Sequence, residues 1–73
     1  MGYTYNLLGN VSLDLKLYDE AISFYNNAMI FFKGKPYGLE VMNGKAIVFQ
    51  KMENYNNAIA IFDSILASNP ANF

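Results

Sequence analysis

The feature that most constrains this chain is that it repeats itself. Residues 17 to 28 read LYDEAISFYNNA, and residues 54 to 65 read NYNNAIAIFDSI. Superposing them sets Tyr18 on Tyr55, Ala21 on Ala58, Ile22 on Ile59 and Tyr25 on Phe62, each pair 37 positions apart. Self-similarity at such a period marks a helical repeat array, in which each unit buries its apolar face only against a neighbour. With 73 residues the chain holds two such units and at most one small domain.

Hydrophobic spacing predicts four helices and no strand. From about Tyr3 to Leu15 the residues Tyr5, Leu8, Val11, Ser12 and Leu15 recur at three- and four-residue steps. From about Asp19 to Phe32 the face is Ala21, Tyr25, Ala28 and Met29. From about Leu39 to Met52 it is Leu39, Met42, Ala46, Phe49 and Met52. From about Asn56 to Ala67 it is Ala58, Phe62, Ile65 and Leu66. Gly34 and Pro36 mark a loop at Gly34-Lys35-Pro36-Tyr37-Gly38, Asn54 suits an N-cap, and Pro70 closes the last helix. The weakest break is Lys16-Leu17-Tyr18, which has no glycine. Asp19 and Glu20 suit a new helix start there, and the alternative is one bent helix over 3–32.

These residues carry a family resemblance. The first unit has Tyr5, Leu8, Gly9, Ala21, Tyr25 and Ala28, with Ser12 where an aromatic and Lys33 where a proline is usual. The second has Met42, Ala46, Phe49, Ala58, Phe62 and Pro70, with Lys45 in place of leucine and Ile65 at a small-residue position. The pattern resembles the tetratricopeptide repeat, a unit of 34 residues. The resemblance covers residues 2–72. It places one repeat at 2–35, a loop insertion at 36–38, a second repeat at 39–72, and the start of a further unit at Phe73. It implies an all-α, right-handed α-solenoid of two helix-turn-helix units, four antiparallel helices in all. Small residues at Gly9, Ala46, Ala21 and Ala58 let helices approach, Tyr25 and Phe62 fill the adjoining wedge, and Tyr18 and Tyr55 sit at the turns.

The resemblance also implies a function: protein–protein interaction, with an extended peptide or a partner helix held against the first helices of the units. The positions lining that concave groove are Tyr3, Asn6, Asn10, Leu13, Glu40, Asn43, Ile47 and Gln50. Asn6 and Asn43 share a repeat position, and an amide both donates to and accepts from a peptide backbone. The competing reading, favoured by the Asn-rich composition, leaves both amides merely solvated. A carboxylate clamp of the kind some relatives use is rejected. Asn10 matches one clamp asparagine, but Asn6 stands where its lysine belongs and Gly44 where its second asparagine belongs, and the chain has no arginine. Phe24, Ile61 and Phe32, with Ile30, form a candidate oligomer or partner face on the second helices.

Composition narrows the function classes. With no His, no Cys and no glycine-rich phosphate loop, the chain offers no nucleophile–base pair and no thiolate metal site. The adjacent acids Asp19 and Glu20 point in different directions on a helix. Neither catalysis, a metal nor a cofactor is expected. Five scattered lysines against six acids give no basic footprint for nucleic acid. No run of about 18 apolar residues spans a bilayer. No membrane association and a cytoplasmic location are expected.

Two units leave end faces to account for. At 53% apolar residues the chain carries more sticky surface than a small core hides. Leu7, Val11 and Leu15 on the first helix, and Ile65 and Leu66 on the last, lack an expected cover. The expectation is a homo-oligomer, neighbouring repeats, or a place in a longer array whose activity lies elsewhere.

Overall fold

The computed structural model describes residues 1–68. Pro70 and Phe73 lie outside the described residues. Four helices follow in order: α1 (Gly2–Asp14), α2 (Tyr18–Phe32), α3 (Pro36–Lys51) and α4 (Tyr55–Ser68). They form an all-α fold of two helix-turn-helix units. α1 packs on α2, α2 on α3 and α3 on α4, while α1 meets α3 lightly. No helix among the described residues is long and apolar enough to cross a membrane.

A single bent helix over 3–32 does not form, because the chain breaks sharply between α1 and α2. Lys16 N–H donates to the Leu13 carbonyl at 3.0 Å and Leu17 N–H to the Ser12 carbonyl at 2.8 Å. This is a Schellman closure, in which two late carbonyls are satisfied by amides past the helix end. Lys16 supplies the left-handed residue, with a φ of 63°. The second unit repeats the device: Glu53 N–H reaches Gln50 at 3.0 Å, Asn54 N–H reaches Phe49 at 2.8 Å, and Glu53 has a φ of 63°. Asn54 lies just before α4, and its carbonyl accepts from Ala58 N–H at 3.2 Å. Asp19 and Glu20 fall in the first turn of α2, where their charge suits the helix dipole.

The inter-repeat loop differs from expectation. Pro36, Tyr37 and Gly38 are not a loop insertion but the first turn of α3. Proline's fixed φ is preorganised for that position, and its missing N–H costs nothing where no intrahelical acceptor exists. The loop shrinks to 33–35, with Gly34 at a φ of 77°. The three residues beyond the 34-residue unit are thus absorbed as helix, and α3 runs 16 residues against 13 for α1.

α2 supplies much of the core, covered by α1 on one side and α3 on the other. Its Ala21, Tyr25, Ala28 and Phe32 are buried, joined by Val41 and Val48 of α3. Tyr25 lies between two glycines. A Cβ at Gly9 of α1 would fall 2.6 Å from its Cε1, and one at Gly44 of α3 would fall 2.8 Å from its Cζ. No other residue fits either position without moving the ring. On the surface of the seam, Lys45 Nζ donates to Asn26 Oδ1 at 2.6 Å, tying α3 to α2.

Phe32 corrects an expectation. It is 7% exposed and belongs to the core rather than to an outer face. Its ring packs edge-on against Tyr3 at 4.9 Å and lies 4.6 Å from Tyr37. Gly2 makes room, since a Cβ there would meet Phe32 Cε2 at 2.5 Å. Phe24 and Ile61 are half-buried.

α1 also presents a different face from the one its large apolar residues suggest. Gly2, Asn6, Gly9 and Ser12 are buried, while Leu8, Val11 and Leu15 are exposed. The wide Tyr25 and Phe32 rings demand small residues opposite them, so α1 turns its glycine strip inward. α3 has neighbours on two sides, and its Leu39, Met42 and Phe49 are all at least half-buried.

Candidate functional site

The glycine strip of α1 and the Tyr25 seam orient the polar residues of α1 and α3 toward each other. Between them lies a concavity of about 330 Å³. It is lined by Asn6, Asn10 and Leu13 of α1 and by Glu40, Asn43 and Ile47 of α3. Tyr25, Tyr37 and Gly44 complete the wall. Six of the eight expected groove residues therefore meet in one place. Tyr3 and Gln50 do not line it. The Tyr3 ring instead packs against Phe32 and lies 4.7 Å from Tyr37, and Gln50 is exposed.

Tyr37 and Gly44 were not legible as site residues from spacing alone. Once α3 begins at Pro36, however, Tyr37, Glu40, Gly44 and Ile47 fall at three- and four-residue steps on one helix face. The missed signal was the helical reading of Pro36. Tyr25 is a packing residue whose hydroxyl nevertheless emerges at the site. Its O–H donates to Asn10 Oδ1 at 2.5 Å. Burial pushes the Tyr25 hydroxyl above its usual pKa of 10.0, and the negative charge of Asp14 adds to the shift.

The two amides that share a repeat position are not equivalent. Asn43 is exposed. Asn6 is 5% exposed, and its Nδ2 donates to Tyr37 Oη at 3.0 Å. Its Oδ1 is buried with no hydrogen-bond partner. The idea of two matching, freely presented amides is thus corrected, and so is the idea that both are simply solvated. The cause is that Tyr37, in the added first turn of α3, reaches back over Asn6.

Gly44 also accounts physically for the missing clamp. Any side chain at 44 would displace the Tyr25 ring or its hydroxyl, whose oxygen would lie 2.9 Å from the added Cβ. A second concavity, of about 370 Å³, adjoins the first through Leu13 and Ile47 and is lined by Asp14, Lys16, Tyr18 and Lys51. Glu40 thus lines the first concavity, and Asp14, Lys16 and Lys51 line the second.

Two helix-turn-helix units stacked through a small-residue seam define a helical repeat protein. The family model for the tetratricopeptide repeat matches residues 3–29 and again residues 39–72. The chain belongs to that family, whose repeats are in general protein-interaction modules and typically non-catalytic. No curated protein and no solved structure matches the chain.

Proposed function

We propose that this chain is a non-catalytic module that binds an extended peptide or a partner helix along the concave face of α1 and α3. The observation that carries this reading is the single concavity in which Asn6, Asn10, Leu13, Glu40, Asn43 and Ile47 converge. Its composition suits a peptide: Leu13 and Ile47 offer apolar contact where it meets the adjoining concavity, and exposed Asn43 offers both a donor and an acceptor to a main chain. The test is a peptide selected by display against the whole chain. Asn43→Trp and Ile47→Arg fill or charge the groove and should weaken binding at least about tenfold. Phe24→Ser and Ile61→Ser should leave it unchanged. The reverse pattern moves the interaction to the outer face and overturns the reading.

A second reading, self-association, is favoured by the apolar residues that the fold leaves uncovered. Leu7 and Leu15 on α1 are 62% and 64% exposed, and Ile59 and Leu66 on α4 are also exposed. Simple head-to-tail stacking with the internal seam geometry is disfavoured, however. Leu7 stands at the repeat position of Gly44, where the Tyr25 seam has no room for even a Cβ. Sedimentation across a concentration series tests this reading. Assembly weakened by Leu15→Ser supports it, and a monomer at every concentration contradicts it.

A further inference from the structure

We propose that the concave face selects a cationic group, the ammonium of a lysine or the guanidinium of an arginine in a partner's extended segment, at the end formed by Asn6, Glu40 and Tyr37. The proposal rests on the peptide-binding reading of that face and adds the chemistry of what it takes.

An unpaired buried acceptor and a lone carboxylate point this way. Two donors at the site are already engaged internally: Asn6 Nδ2 on Tyr37 Oη, and Tyr25 O–H on Asn10 Oδ1. The buried Asn6 Oδ1 has no partner. An amide oxygen held in low dielectric without a donor leaves its negative end uncompensated, and it belongs to a residue that lines the concavity. Glu40 is exposed and supplies the one formal charge among the lining residues. Among the described residues, no lysine lines this concavity; Lys16 and Lys51 line the adjoining one together with Asp14. A carboxylate here would meet the Glu40 charge and the unpaired oxygen together. The preference is therefore opposite in sign to a carboxylate clamp.

Three end-blocked pentapeptides of sequence Ala-Leu-X-Leu-Ala, with X as Lys, Gln or Glu, test this by titration into the ¹⁵N-labelled whole chain. The lysine peptide should shift the amides of Asn6, Glu40, Asn43 and Gly44. It should bind about three- to fivefold more tightly than the glutamine peptide, with the glutamate peptide weakest. Glu40→Gln, at an exposed position, should shrink the spread to within about twofold, as should raising the salt. Equal shifts from all three peptides overturn the cationic preference and leave the groove reading standing. A glutamate peptide that binds tightest also overturns it, since that is the result for an Asn6 amide turned to present Nδ2. Failure of every peptide to shift any residue of the face overturns both.

Discussion

Lys16 and Glu53 lie 37 positions apart and share a φ of 63°, each being the left-handed residue that ends the first helix of its unit. Both do so with a Cβ that this conformation disfavours by roughly 1–2 kcal/mol. Lys16→Gly and Glu53→Gly should each raise stability, by about 0.5–1 kcal/mol after the greater entropy of an unfolded glycine is subtracted. The urea midpoint measures it. A fall in the midpoint for both variants would mean that these side chains hold the turns in some other way.

The position of Tyr25 between Gly9 and Gly44 makes a second, sharper prediction. Alanine normally strengthens a helix by about 1 kcal/mol over glycine. Here Gly9→Ala and Gly44→Ala should each lower stability by a net 1–2 kcal/mol or so, because a fully buried ring must move. Tyr25→Phe should partly relieve Gly44→Ala, whose new Cβ meets the hydroxyl and Cζ. It should not relieve Gly9→Ala, whose Cβ meets the ring edge. A double-mutant cycle on thermal unfolding distinguishes the two.

How much of this was legible in the sequence follows from what each residue type announces. The offset between Ala21-Tyr25 and Ala58-Phe62 announces a repeated packing wedge, and the fold follows from it. The inward face of α1 was not legible, because hydrophobic spacing looks for large apolar residues and this face is built from Gly2, Asn6, Gly9 and Ser12. Phe32 was misjudged for the complementary reason: its pocket is made by a residue with no side chain, Gly2. Most of the candidate site was legible by position on α1 and α3. The burial of Asn6 was not, since it depends on Tyr37, and Pro36 reads as a loop until it is seen opening a helix.

The Tyr25 hydroxyl links stability to alkaline pH. Its pKa in the fold lies above the ordinary value, first through burial and then through Asp14. The folded state therefore holds this proton when the unfolded chain releases it. The contribution is whole below about pH 10 and is lost as pH rises from there through the folded pKa. Tyr25→Phe should cost about 1 kcal/mol or less at neutral pH, for the bond to the exposed Asn10. The gap between variant and parent should narrow above pH 10. Denaturant unfolding at pH 7 and pH 11 measures it, and a gap that widens at high pH contradicts the assignment.

Burial separates Phe32 from its neighbour Ile30. Phe32→Ala removes a ring that joins α1, α2 and α3 and should cost about 3–5 kcal/mol. In a chain this small that is enough to unfold most of the population. Ile30→Ser, at a residue 76% exposed, should change stability by no more than about 0.5 kcal/mol. Circular dichroism melts of the two variants, side by side, read the difference.

The most direct test of the central claim is a crystal structure of the whole chain with its tightest display-selected peptide. The peptide should lie along α1 and α3, with its main chain within hydrogen-bond reach of Asn43 and an apolar side chain over Leu13 and Ile47. A peptide seated instead on Leu7 and Leu15, on Ile59 and Leu66, or on Phe24 and Ile61 would contradict the assignment of the concave face as the binding surface.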